Sequence, residues 1–174
     1  TTPQHVFESL GEKAGLILAG GKSEVGLEST VVDMTGTVPV LLRPGAVTLE
    51  DLKMHLGEVH VELEAVGDKP KSPGQLLKHY APKTPLRLKA VDVKKGEALL
   101  AFRSTRFMNV KDAAEVLNLS EQGDLGEAAA NLFSMLHQLD AGGYCGIAVM
   151  DIPETGLGLA INDRLRRAAG AQIF

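Results

Sequence analysis

The chain has 174 residues, 44% of them hydrophobic and 23% charged, with a net charge of −4 and a pI near 5.7. This is the composition of a soluble globular chain of one large or two small domains. No apolar run is long enough for a helix crossing a membrane, and the acidic balance without clustered Lys and Arg argues against a dedicated nucleic-acid surface.

Taken in chain order, residues 1–66 alternate helix and strand signals. "TTPQHVFESLG" offers Thr2 as N-cap and Pro3 at the first helical position, with Val6, Phe7 and Leu10 on one face. "GLILAGG" reads as a short buried strand ending in a glycine turn. "STVVDM" and "VPVLLR" flank the turn "TGT" and read as a hairpin or a tight strand connection. "TLEDLKMHLG" predicts a helix capped by Thr48, with Asp51 in the capping-box position and Leu49, Leu52 and Leu56 as its apolar stripe. "VHVELEA" alternates as a half-buried strand, with Val59, Val61, Leu63 and Ala65 inward. His60, Glu62 and Glu64 share its other face. No further Cys or His follows at zinc-ligand spacing, so this is read as a solvated polar face, with no metal site assigned.

Residues 67–85, "GDKPKSPGQLLKHYAPKTP", contain four of the eight prolines. Each fixes φ and biases the residue before it away from helix, so the stretch predicts a linker with preset extended segments. A connector required only to be flexible would be rich in Gly and Ser.

Residues 86–174 predict strands in "LRLKAVD", "EALLAF", "AAEVLNL" and "GIAVMDI". The strongest helix signal is "DLGEAAANLFSMLHQLDAGG", capped by Asp124 with Glu127 three residues later and stopped by Gly142 and Gly143. A last helix follows "PETG", over about 159–169. Strands alternating with helices point to a three-layer α/β arrangement with a largely parallel sheet. The basic cluster "DRLRRAAG" falls near the end of that helix, where it complements the macrodipole. Cys145, the single cysteine, rules out an intramolecular disulfide and fits a reducing compartment. At the entry to an apolar run it reads as a buried small hydrophobe.

Four stretches carry candidate chemistry. "LAGGKSEVGLEST", 18–30, has the composition of an anion-binding loop but lacks the Walker spacing, so a plain glycine turn stands beside that reading. "LLRPG" places Arg43 at a strand end before a Pro-Gly turn, suited to clamping a phosphate or carboxylate, or to a surface salt bridge. "KHYAP" sets His79 beside Tyr80 on constrained backbone; the two rings suit base stacking, phosphate contact or packing in a crevice. "GLGLAINDRL" has G-x-G without the third glycine of a dinucleotide fingerprint and reads as helix packing.

Together, "GLESTVVDMTG", "LLRPGAVT", "SPGQLLKHYAPKTPL", "NLFSMLHQLD" and "GLGLAINDRLRRA" resemble, in order and spacing along nearly the whole chain, the C-terminal half of the Sua5 group of threonylcarbamoyl-AMP synthases. That group lies within the Sua5/YciO/YrdC family. The resemblance implies a division into the C-terminal part of a YrdC-like α/β catalytic domain (1–66), a linker covering the active site (67–85) and a Rossmann-like Sua5 domain (86–174). It implies a cytoplasmic enzyme that converts L-threonine, bicarbonate and ATP to threonylcarbamoyl-AMP and pyrophosphate, usually with Mg²⁺. Downstream tRNA-modifying proteins then transfer the group to adenosine in tRNA. Ser29 of "EST" would contact threonine, Arg43 of "LLRPG" the nucleotide phosphates, and Tyr80 of "HYAP" ATP from the linker; no catalytic residue is implied within the chain. The acidic pI suits an enzyme that need not grip tRNA. The family's Lys-x-Arg signature and the serine-bearing segment expected just before "TTPQHV" have no counterpart here. The chain is therefore expected to be a fragment, with little or no activity alone. Two rival expectations are a non-catalytic binding or regulatory module and an RNA-binding translation factor.

Overall fold

The computed structural model describes residues 2–21, 23–63, 81–103 and 107–170. Most of the proline-rich stretch, including His79 and Tyr80, lies outside the described residues, as do Glu64 and Ala65.

The chain opens with α1 (Pro3–Leu10), started by the proline as its sequence requires. The hairpin forms as β1 (Val31–Asp33) and β2 (Val40–Arg43), antiparallel and with an irregularity between Val31 and Val32. Asp33 Oδ1 accepts from both the backbone N–H and the hydroxyl of Thr35, which tightens the "DMTGT" turn. Helix α2 (Leu49–Leu56) carries the complete capping box: Asp51 N donates to Thr48 Oγ1, and Thr48 N to Asp51 Oδ2. β3 (His60–Val61) then pairs parallel with β2, giving the order β1-β2-β3. Leu41, Val59 and Leu63 form a small core beneath Leu49 and Leu52.

Two expectations for this region fail. "GLILAGG" is not a strand; Leu16 and Leu18 are 80% and 85% exposed. It pairs with no strand among the described residues, and an apolar run without a partner cannot complete a ladder. In "VHVELEA" the regular strand is only two residues long, so the alternation is lost and Val61 is exposed while Val59 and Leu63 stay buried.

The second sheet comprises β4 (Leu86–Arg87), β5 (Glu97–Ala101), β6 (Val116–Asn118) and β7 (Gly146–Val149), all parallel, in the order β4-β7-β5-β6. Central β5 is buried along its whole length, as a parallel strand covered on both faces must be. One face packs against α3 (Leu125–Ala141) and α4 (Leu157–Ala169), burying Leu100, Leu132, Leu136, Ile147, Ile161 and Leu165. The other is covered by the Phe107–Ala113 connection, which includes a 3-10 turn, and by Met150. The α/β class with a largely parallel sheet thus holds.

Three local details differ from expectation. Asp124 caps α3 by accepting from Glu127 N, but the Glu127 carboxylate receives the Ser120 hydroxyl at 2.5 Å instead of closing a box. Cys145 is exposed, because it precedes the first buried residue of β7 and its thiol faces the Lys95 carbonyl. Most consequentially, two arginines of "DRLRR" are buried: Arg164 and Arg167 are each 1% exposed, and their partners are side chains and carbonyls rather than the helix end. Only Arg166, paired with Glu154, stays near the surface as the macrodipole reading assumed.

Candidate functional site

Two of the three expected site residues are described, and the fold brings them together. Arg43 closes β2 and Ser29 stands two residues before β1 begins. Antiparallel pairing sets them side by side, since Val31 lies opposite Arg43. Arg43 Nε donates to the Ser29 carbonyl at 2.9 Å, and its Nη2 donates to Ser29 Oγ at 3.2 Å. The fork geometry of guanidinium permits both at once. Ser29 is exposed and Arg43 half-buried, so the hydroxyl and the positive group face the same solvent edge of the first sheet.

The backbone behind them is fixed just as closely. Thr30 Oγ1 donates to the Val47 carbonyl at 2.7 Å and accepts from Val47 N at 3.1 Å. Gly45 lies so near the 28–30 backbone that a Cβ there would sit 2.4 Å from the Glu28 carbonyl oxygen. No other residue fits that approach, so the glycine of "LLRPG" lets its loop dock on "EST".

A third layer comes from the far end of the chain. Arg164 of α4 donates through Nε to Glu28 Oε2 at 2.8 Å, through Nη2 to the Pro44 carbonyl at 3.0 Å, and through Nη1 to Asp163 Oδ2 at 2.5 Å. Arg167 bonds Asp163 and extends to the Leu63 carbonyl at 2.6 Å. Two buried guanidiniums are thus balanced by Asp163 and Glu28, which burial of charge demands. Apolar contacts join the same surfaces. Leu27 packs into the core beneath the second sheet, and Gly26, at φ +70°, lies against the backbone of Ala129 and Ala130 in α3. Leu159 of α4 reaches the small core of the first sheet, and Glu50 of α2 accepts from Gly156 N.

These supporting residues were not singled out from the sequence, although one signal was available. On α4, Leu157, Ile161, Leu165 and Ala168 trace a core-facing stripe, and Arg164 stands within it at the i+3 position from Ile161. An arginine at an apolar stripe position requires a buried acceptor.

Other candidates gather less. The glycine loop has open space around Gly20 and Gly21; the cavity of about 400 Å³ beside it is lined by residues such as Pro3, Leu18 and Ser23 and includes neither Ser29 nor Arg43. A second cavity, about 280 Å³, lies at the exit of the proline-rich stretch between Pro82 and the α3 residues Phe133, His137 and Asp140. There burial would raise the Asp140 carboxyl, but bonds from the Thr84 and Lys83 backbone outweigh it and hold the group below its ordinary value. His60 contacts Glu58 at 3.1 Å, and among the described residues no three His, Cys, Asp or Glu side chains are grouped to hold a metal ion. No helix among them is long and apolar enough to cross a membrane.

Residues 47–170 match the family model described as "Threonylcarbamoyl-AMP synthase, C-terminal domain", and residues 1–45 match the one described as "Telomere recombination". The threonylcarbamoyl-AMP synthase of Pyrococcus abyssi is 35% identical over 188 residues, covering 100% of this chain and 55% of its own length. That of Bacillus subtilis is 32% identical over 187 residues, covering 100% of the chain and 54% of its own. The crystal structure of P. abyssi Sua5 complexed with L-threonine superimposes with a TM-score of 0.84 at 31% identity, over 98% of this chain and 54% of that one. The chain therefore spans about half the length of the relatives it matches.

Proposed function

The chain belongs to the Sua5 family of threonylcarbamoyl-AMP synthases, and on that premise we propose that it is the C-terminal portion of an ATP-dependent nucleotidyltransferase that makes threonylcarbamoyl-AMP. The reaction joins L-threonine, bicarbonate and ATP. The amino group of threonine takes up the carboxyl carbon with loss of water; the resulting carbamate oxygen attacks the α-phosphorus, and pyrophosphate leaves. The product supplies threonylcarbamoyl to downstream proteins that modify tRNA in the cytoplasm. The acidic pI favours this over a translation factor that grips RNA.

The observation that carries the reading is the meeting of Ser29 and Arg43 at one exposed edge. Ser29 Oγ accepts from Arg43, which leaves its O–H to donate to the threonine carboxylate. The guanidinium, anchored on the Ser29 carbonyl, offers fixed positive charge to the phosphates where pyrophosphate develops. Fixed donors stabilise such charge without reorganising during the reaction. Tyr80 would approach ATP from the linker as part of a cover that excludes water. The described residues provide no cage for Mg²⁺; a magnesium ion arriving with ATP would be held by the nucleotide's own phosphates and water.

Pyrophosphate release from L-threonine, bicarbonate and ATP tests the proposal in the full-length enzyme. Arg43→Ala is expected to lower kcat/KM for ATP by about 10²-fold or more. Ser29→Ala is expected to raise the KM for threonine by about tenfold, as loss of one hydrogen bond to a charged group does. Residues 1–174 alone are expected to turn over little or nothing. Robust turnover by that chain, or wild-type kinetics in both variants, would contradict the proposal.

A further inference from the structure

We propose that Arg164, acting through Glu28, is a positioning residue for the threonine-binding loop, so that the last helix of the Sua5 domain sets the affinity of a site to which it contributes no substrate contact. The inference rests on the functional reading above and deepens it. Its basis is a closed ring of hydrogen bonds. Arg164 holds Glu28, the residue before Ser29, and the carbonyl of Pro44, the residue after Arg43. Arg43 closes the ring by donating to the Ser29 carbonyl and hydroxyl. Both loops that present the substrate-facing groups are therefore referenced to one guanidinium, 136 residues from Glu28 and 120 from Pro44.

The geometry favours a positioning role over simple adhesion. Apolar packing through Leu27 and Leu159 already joins the two sheets. A buried arginine adds direction: its planar fork fixes the angle between two acceptors, which apolar contact does not. Glu28 stands at the rim, with its side chain 33% exposed, whereas the arginine is 1% exposed. The glutamate end of the strap can therefore be altered while Arg164 keeps Asp163 and Pro44.

The test uses the full-length synthase and three variants: Glu28→Ala, Glu28→Gln and Arg164→Lys. Glutamine still offers an oxygen to Arg164 Nε; lysine, a single point of charge, cannot hold Glu28 and Pro44 at the fork's angle. Glu28→Ala is expected to raise the KM for L-threonine alone by about fivefold or more, and Arg164→Lys, which also releases Pro44 beside Arg43, to raise it by as much together with the KM for ATP, each with kcat at saturating substrate within about twofold of wild type. Glu28→Gln is expected to restore most of the affinity. An unchanged threonine KM in both Glu28→Ala and Arg164→Lys overturns the inference and leaves the functional reading standing. So does a rise in the KM values of threonine and ATP together that follows the loss of Tm in all three variants, because that is the signature of general loosening. If the wild-type enzyme makes no threonylcarbamoyl-AMP, the functional reading fails and the inference with it.

Discussion

Residues 81–170 bury a continuous apolar cluster between a parallel sheet and two helices, whereas the region ending at Leu63 has a core of Leu41, Val59 and Leu63. The first can hold its shape by packing. The second leaves Phe7, Leu16 and Leu18 exposed and fixes its chemically useful edge by other means: hydrogen bonds within "EST" and "LLRPG", and charged side chains sent across from α4. The part with the large core is the scaffold, and the part with the small core bears Ser29 and Arg43. Rigid elements hold binding groups more accurately than loops do, and on the proposed function Ser29 and Arg43 would borrow that rigidity from the neighbouring unit through Arg164.

The hardest way to break this comparison is to remove the charge that balances the strap. Asp163→Ala leaves Arg164 and Arg167 buried without their shared carboxylate and is expected to cost about 3–5 kcal/mol, seen as an earlier urea transition by circular dichroism. A cost near zero would mean that the two regions do not depend on the buried charges.

A smaller effect, confined to the scaffold, is expected at Glu97, which bonds Arg87 and the Lys94 backbone. Arg87 holds the Glu97 carboxyl below its ordinary value of 4.5. A carboxylate with a depressed folded pKa stabilises the fold above its unfolded value and loses that contribution as pH falls through the folded one. Glu97→Gln should therefore cost about 2 kcal/mol at neutral pH and almost nothing in strong acid, read from urea midpoints across the acid range. The least effect is expected from Thr48→Ala, about 1 kcal/mol, from loss of the α2 cap while Ser29 and Arg43 stay in place.

What the sequence disclosed follows the same division. Among the described residues of the scaffold, periodicity and turn residues located the four strands and the two α-helices, because the apolar runs there find partners in one parallel sheet and the helices carry their own stripes and stops. In the first region the hairpin and α2 were legible because their turn and capping box are local. "GLILAGG" was misread because an apolar run becomes a strand only with a neighbour. The meeting of Ser29 and Arg43 follows from hairpin register and could be anticipated. The ring through Arg164 could not be derived from spacing, since its members stand more than a hundred residues apart. Only the arginine standing in the apolar stripe of α4 hinted at it.

The most direct measurement is a crystal structure of the full-length enzyme with L-threonine and a non-hydrolysable ATP analogue. The account predicts the threonine carboxylate within hydrogen-bond distance of Ser29 Oγ, the phosphates beside Arg43, and the Arg164–Glu28 pair intact behind them. Threonine or phosphates seated away from that edge, with Ser29 and Arg43 touching neither, would contradict it.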